Sequence, residues 1–486
     1  MPFVGSHVAA AWKGRAPPRG QYPDAHDEKV PFVVRRFSHA LRVGGRGRRL
    51  GLEDCDSCVR ESVAMTWKNQ SLLLLVLFSV SQVLASDWTQ FRGPNHDSTT
   101  AEKILHTWPK EGPRQVWKTP VTDGFSSITV SGGRAFTLER RSIEGADREV
   151  CVALDADSGK EIWTVPLAVA KYDGGGDSGT SDNKGGDGPR STPSLDGDRV
   201  YAFSSRLVLY CLEAATGKEI WKKDLVAEHA GRNISWQNAA SPLIDGDLIF
   251  VAGGGAGQAL LGINKQDGKV VWKGEDDLMT HSTPTAATIL GVHQVIFFTQ
   301  RGLVAVAPQT GKVLWRQPFR YTTSTAMTPI ASGNIVYCSA GYGVGSGAYQ
   351  VSKSGDEFSV KELWFQPANV FNNHWSTPVC KDGYLYGLFG FKEFGRCPMK
   401  CVELATGKVM WSQEGFGPGG TILVDGQALV LGDAGQLVLV EATPKGYSEV
   451  ARAKVLNGKC WSTPTLSNGR VYARSTKEAV CLAVGP

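Results

Sequence analysis

Eight times between Ser126 and the C-terminus the chain repeats one unit of roughly fifty residues. Five copies carry the same nine-residue signature, at Asp155 to Trp163, Glu213 to Trp221, Asn264 to Trp272, Ala307 to Trp315 and Glu403 to Trp411; each ends in Gly-Lys, two more residues and Trp. A second mark opens each unit: Ser191-Thr192-Pro193, Ser241-Pro242, Ser282-Thr283-Pro284, Thr328-Pro329, Ser376-Thr377-Pro378 and Ser462-Thr463-Pro464. Ser126-Ser127-Ile128 and Gly420-Thr421-Ile422 hold the same place without the Pro. Units of this length hold about four short strands, and one such sheet cannot bury both faces unless copies stack around an axis. The fold predicted is therefore all-β, an eight-bladed β-propeller.

The marks have local reasons. Asp-Gly in Ser194 to Phe203 supplies the positive φ of a tight hairpin, and the Gly of each Gly-Lys turn does the same. Pro at a strand opening costs no ladder bond when it lies outside the paired region. The recurrent Trp belongs on the fourth, outermost strand, covering the seam between blades with its N–H on a backbone acceptor. The unit ending in Trp364 has lost the tidy turn and the unit before Arg452 has no Trp, so these two seams are expected to be the weakest. Gln115 to Pro120 reads as an orphan outermost strand, Trp117 included, which closes the last blade and removes an open edge.

The N-terminal part obeys different rules. Residues 1–64 lack apolar periodicity and read as a disordered leader or a misassigned start. From Met65 the chain shows Lys68, an apolar core from Leu72 to Val80 and a small-residue exit at Ala85, the pattern of a signal peptide at 65–85. The apolar core is shorter than the about 20 residues that span a bilayer, and no Cys follows it, so no stable membrane anchor is expected. An extended segment, 86–114, then leads into the propeller at 115–486. Residues 1–85 hold 12 Lys/Arg against 7 Asp/Glu, which is the whole of the net charge of +5. The exported part is neutral and offers no electrostatic footprint for nucleic acid. Its predicted location is periplasmic or secreted.

The Gly-Lys-x-x-Trp repeats, eight blades and overlapping closure resemble the pyrroloquinoline quinone (PQQ) repeat family of β-propellers over Asp87 to Pro486. Asp87 to Asn95 (DWTQFRGPN) resembles the mature N-terminus of secreted planctomycete-type members. The resemblance implies one of two branches. Quinoprotein dehydrogenases hold PQQ and calcium in the funnel; other members bind no quinone, among them the propeller lipoprotein of the outer-membrane barrel-assembly machinery. The dehydrogenase branch is expected to show adjacent cysteines against the quinone, and this chain has none; nor has it a C-x-x-C-H haem motif. The function expected is a non-catalytic binding or assembly scaffold with a protein, small-molecule or glycan partner. The alternative is a PQQ-dependent dehydrogenase acting on alcohols or sugars, with PQQ and calcium as cofactors.

Residues just before each opening strand gather around one mouth of a propeller's channel. They give a candidate ligand site: Arg190, Trp236, Gln237, Asn238, His281, His374, Trp375 and Trp461. Aromatic faces stack on planar or glycan-like ligands while His and Arg donate; the reading preferred from the sequence is that these side chains plug the channel, because an apolar mouth needs filling with or without a ligand. Cys211, Cys401 and Cys481 share the repeat position held by Ala153, Gly262 and Ala305, a slot for small buried side chains. Cys397 and Cys401 are spaced to bridge or to hold a metal, without the further ligands that zinc needs. The Asp- and Gly-rich run from Asp173 to Gly188 matches no calcium-loop spacing and reads as a surface loop. Gly341 to Gly347 leads into a strand rather than a helix and so makes no phosphate loop.

Overall fold

The computed structural model describes residues 87–172, 188–369, 371–391 and 395–486. The leader, the signal peptide and most of the Asp- and Gly-rich run lie outside these residues. The rest forms eight antiparallel four-stranded sheets, one per repeat unit, seven of them joined by hairpins in chain order and the last completed from the N-terminal segment, with a short fifth strand added in parallel to blade 7. Blade 2 is typical: Ser194–Asp196 innermost, then Arg199–Phe203, Val208–Glu213 and Glu219–Asp224 outermost. Gly197, at φ +59°, makes its first two-residue turn between Asp196 and Arg199. The apolar faces of neighbouring sheets supply the core, as in the cluster joining Phe203, Leu209 and Cys211 of blade 2 to Ile249, Val251 and Leu261 of blade 3.

Blade 8 is closed by the N-terminal strand, as its orphan Trp implied. Arg114–Pro120 pairs antiparallel with Glu478–Ala483, placing Trp117 opposite Cys481. The opening marks explain the ring's inner circumference. The Ser127 N–H donates to Thr192 Oγ1 at 3.0 Å, Thr192 N–H to Ser241 Oγ at 2.9 Å and Ser241 N–H to Thr283 Oγ1 at 2.9 Å. Thr328 N–H meets Thr377 Oγ1 at 3.1 Å, and Thr463 N–H returns to Ser127 Oγ at 3.0 Å. These five hydroxyls each satisfy a buried donor on the blade before, while Thr328 and Thr421 hold the same place with buried hydroxyls that make no hydrogen bond among the described residues, so the Ser/Thr recurrence is a hoop with gaps at blades 5 and 7.

The outer marks are also coupled between blades. The Gly of each Gly-Lys turn lies against the Trp of the preceding blade: a Cβ on Gly159 would stand 2.6 Å from Trp117, on Gly311 2.4 Å from Trp272 and on Gly407 2.8 Å from Trp364. The same turns offer the indole its acceptor: Trp117 Nε1 donates to Ala156 O at 2.9 Å, Trp163 to Ala214 O at 3.1 Å, Trp272 to Pro308 O at 2.6 Å, Trp364 to Leu404 O at 2.9 Å and Trp411 to Thr443 O at 2.8 Å. The small slot faces the same ring: Cys211, Cys401, Cys481, Ala153, Gly262 and Ala305 each pair across the ladder with the Trp. The eight described cysteines are free thiols, Cys397 and Cys401 included.

The expected weak seams need revision, because a Trp depends on the turn of the next blade and not on its own. Trp364 packs normally. Trp315, which faces the irregular blade 5, instead donates to Gln294 Oε1 of its own blade at 2.5 Å. At the seam of blades 7 and 8, where no Trp recurs, Ile104 and Trp108 of the N-terminal segment join the core.

That segment is a strap across the end of the channel. Trp88 bridges Val130 of blade 1, Thr89 O accepts from Leu195 N of blade 2, and the Gln90 amide exchanges two hydrogen bonds with Ile244 of blade 3. It then crosses to blade 7, where Thr99–Thr100 pairs parallel with Leu423 and Val424, and to blade 8, where Leu105 N donates to Val484 O. All its contacts on blades 1 to 3 and 7 fall beyond the hoop hydroxyls, toward the C-terminal ends of the innermost strands.

Candidate functional site

The innermost strands run from the hoop toward the strap, so the channel has one floor and one open mouth. A cavity of about 120 Å³ occupies it, with Phe91 of the strap among its lining residues and hoop hydroxyls such as Ser127, Thr192 and Ser241 on its wall. The rim is set by register: two residues before the opening hydroxyl stand Phe125, Arg190, Ala239, His281, Ala326, Trp375, Gly419 and Trp461, and all eight line the cavity.

The aromatic rings form an arc. Trp236 stacks on Tyr342 with centroids 6.0 Å apart and planes at 18°; Tyr342 meets His374 edge-on at 5.2 Å, His374 meets Trp375 at 5.2 Å, Trp375 meets Trp461 at 4.9 Å and Trp461 meets Phe125 at 5.2 Å. The Lys459 ammonium sits 4.5 Å from the Trp461 centroid, within cation–π reach. Trp236 and Tyr342 both hold positive φ, +63° and +56°, which for bulky residues costs on the order of 1 kcal/mol each and persists because the surroundings fix it.

The polar groups around this arc serve mainly as braces. His281 Nε2 lies 3.0 Å from Ser235 O, which only accepts, so the proton is on Nε2 and Nδ1 accepts from Ser324 Oγ at 2.8 Å. Burial, with the nearby Arg190 guanidinium adding to it, pulls this imidazole down to about 4, so it is neutral at physiological pH. Arg190 Nη1 donates to Trp236 O at 3.0 Å and the guanidinium lies over Tyr172 at 5.5 Å. Tyr172 in turn donates to the buried Glu149 at 2.7 Å, whose other oxygen takes Ser205 N–H at 2.9 Å. Burial pushes the Glu149 carboxyl above its ordinary range, against the pull of those hydrogen bonds. The indole N–H groups of Trp375 and Trp461 are different: both are buried and neither has an acceptor among the described residues.

Of the residues expected at the mouth, Arg190, Trp236, His281, His374, Trp375 and Trp461 come together on one cavity. Gln237 and Asn238 do not line it. Gln237 Oε1 accepts from Asn233 at 2.7 Å, and Asn238 spans its own turn, donating to Ala240 O at 3.2 Å and accepting from Ala240 N at 3.0 Å. Sequence reading missed Phe125, which strict counting from Ser127 would have found. Tyr342 and Phe91 had no such signal, since Tyr342 rides the Gly-rich turn before the third strand of blade 5 and Phe91 rides the strap.

Nothing among the described lining residues is a carboxylate, and the hoop hydroxyls already accept backbone N–H groups. Calcium takes 6–8 oxygen ligands with carboxylates prominent, so this wall does not fit it. The enclosed space also falls below the roughly 300–1,000 Å³ of cofactor-sized pockets.

The family model described as outer membrane protein assembly factor BamB matches residues 146–386. Curated proteins of that name are similar along most of the chain: the one from Moranella endobia is 25% identical over 398 residues, covering 79% of this chain and 83% of the relative. The one from Yersinia pestis is 23% identical over 398 residues, covering 81% and 84%. Among solved structures, BamB from Moraxella catarrhalis superposes with a TM-score of 0.53 at 15% identity, covering 76% of this chain and 96% of that one. Quinohemoprotein alcohol dehydrogenase from Comamonas testosteroni gives 0.57 at 14% identity, covering 82% and 81%. At those identities the superpositions speak for the fold alone. With its Gly-Lys-x-x-Trp register repeated around a closed ring of eight blades and this match in sequence, the chain belongs to the PQQ-repeat β-propeller family.

Proposed function

We propose that the protein is an exported, non-catalytic assembly scaffold of the cell envelope that holds a polypeptide partner at the aromatic mouth. The observation that carries this is the pair of buried indole N–H groups of Trp375 and Trp461, 4.9 Å apart between ring centroids and without acceptors, in a site whose His281 has both nitrogens engaged. Donors and apolar faces without a nucleophile or carboxylate suit backbone carbonyls and an apolar side chain. The similarity to outer membrane protein assembly factors supports the same reading.

Two measurements test it. A photoreactive residue in place of Trp236 should cross-link in the native host to a component or a client of outer-membrane protein assembly, and Trp375→Phe with Trp461→Phe should weaken that cross-link without lowering the melting temperature. Titration with PQQ and calcium should give no saturable change in visible absorbance and no dye-linked oxidation of alcohols or sugars. Turnover in the second experiment would replace the scaffold by a quinoprotein dehydrogenase.

A further inference from the structure

The DWTQFRGPN segment builds a second cavity, of about 320 Å³, on the strap side of the propeller and away from the aromatic mouth. Its walls are Arg92 and Asn95 to Asp97 of the strap, Thr285 to Thr288 of blade 4, Pro329 to Gly333 at the start of blade 5 and Cys380 of blade 6. Between Gln90 and Ser98 the strap folds back on itself, with Arg92 and His96 both at positive φ, +68° and +61°.

Arg92 is 4% exposed and is not in an ion pair among the described residues. Its Nε donates to His96 O at 3.0 Å and its Nη1 makes a long contact of 3.4 Å to Pro378 O. The hydrogen bonds of this buried guanidinium go only to neutral carbonyls, and Asp97 acts on it through space without an ion pair, so its charge is only partly compensated, where buried charges are normally paired. Beside it His96 Nδ1 is buried with no hydrogen-bond partner. The one carboxylate in the wall, Asp97, is turned to Thr99, taking its N–H at 2.9 Å and its hydroxyl at 2.8 Å.

We propose that this cavity binds a small monocarboxylate, its carboxylate on Arg92 and His96 and its apolar body against Ala286, Ile330 and Ala331. The charge sets the class. Arg92 is the single cation in the wall, because burial holds His96 neutral, down at about 4. One positive charge, opposed from the same wall by the Asp97 carboxylate, can hold a monoanion but not a phosphate dianion, and the planar fork of the guanidinium suits a carboxylate. The volume sits at the small end of ligand pockets.

The test uses butyrate and inorganic phosphate as separate probes on the purified exported chain at constant ionic strength, followed by calorimetry and by alkylation of Cys380. Cys380 is the one cysteine of the described eight that is not fully buried, so it reports directly on this cavity. Butyrate should bind saturably and slow Cys380 alkylation; Arg92→Gln should weaken it about 30-fold or more, the effect of removing one partner of a buried charge pair. Thr288→Trp, on the exposed rim, should block binding with the melting temperature unchanged, and decides the matter if Arg92→Gln fails to fold. No saturable butyrate binding to the parent chain, preference for phosphate, or binding undiminished by Thr288→Trp would each overturn the proposal.

Discussion

Replacing Trp221 by Phe is expected to leave the propeller as stable as before or more so, whereas Trp163→Phe, one blade earlier, should destabilise it by about 2 kcal/mol. The two indoles have the same setting: partly buried, on the outermost strand, against the Gly of the next turn and 5.8 or 6.0 Å from an aromatic ring of their own blade. They differ in one hydrogen bond. Trp163 Nε1 reaches Ala214 O at 3.1 Å, but the equivalent acceptor for Trp221, Lys265 O, is taken by the Tyr201 hydroxyl at 2.9 Å and by Arg199 at 3.5 Å. Trp221 Nε1 is left buried without a partner.

Shrinking either ring to Phe gives up roughly 1 kcal/mol of apolar burial. At Trp163 the lost hydrogen bond adds about 1 kcal/mol; at Trp221 removal of an unsatisfied donor returns about 1–3 kcal/mol. The difference between the variants is then about 2–4 kcal/mol for the same chemical change. Urea unfolding of both, read as midpoint shifts against the parent, measures it. A third variant sharpens the logic: in Tyr201→Phe the carbonyl becomes free for Trp221, so the hydroxyl's loss should be nearly neutral. Equal destabilisation by Trp221→Phe and Trp163→Phe would refute the idea that one carbonyl decides the seam.

Gly311→Ala should destabilise by about 2–4 kcal/mol, since it places a Cβ at φ +69° and 2.4 Å from the Trp272 ring; an unshifted urea midpoint would contradict the coupling of turn and indole. Deleting residues 112–120 removes the closing strand and should broaden the thermal transition and promote association through the exposed edge of Glu478–Ala483, visible by light scattering. Acid should weaken the fold between about pH 6.5 and 4. There the unfolded chain protonates His281 and His96 while the folded chain, with both held near 4, does not; their stabilisation is present above pH 6.5 and is lost as pH falls, at most about 3 kcal/mol each. Asp433, pushed up to about 6 by burial, and Glu149, also pushed up by burial, work in the opposite sense and offset part of this slope, and His281→Asn should make the melting temperature less sensitive to acid than in the parent.

Much of the fold was legible because its causes repeat. A Gly that must accept a neighbour's indole, a small residue that must face it and a hydroxyl that takes the previous blade's N–H recur at most of the seams, so blade count, closure by Trp117 and the role of Cys211 follow from spacing. The seams were harder, for the contact belongs to two units: the irregular turn of blade 5 disturbs Trp315 and spares Trp364. The strap was not legible at all beyond its being extended. Its ties run to strands far along the chain, as from Gln90 to Ile244, and no local pattern in Asp87 to Asn95 encodes such partners.

The mouth shows how the same repetition separates scaffold from site. A hoop hydroxyl does the same work wherever it takes the previous blade's N–H and cannot by itself distinguish one ligand from another. Two residues earlier, at the equivalent position of each blade, the chain carries Phe125, Arg190, Ala239, His281, Ala326, Trp375, Gly419 and Trp461, which share neither size nor charge. Blade packing places no common demand there, since the side chains point to the axis and not to a neighbouring sheet. What organises them is the asymmetric arc they make together: His281 and Arg190 brace Trp236 on one side, while Trp375 and Trp461 leave their N–H groups unpaired on the other. On the proposed function, an arc with one braced and one unsatisfied side would give a bound segment a direction, which a uniform plug of the channel would not.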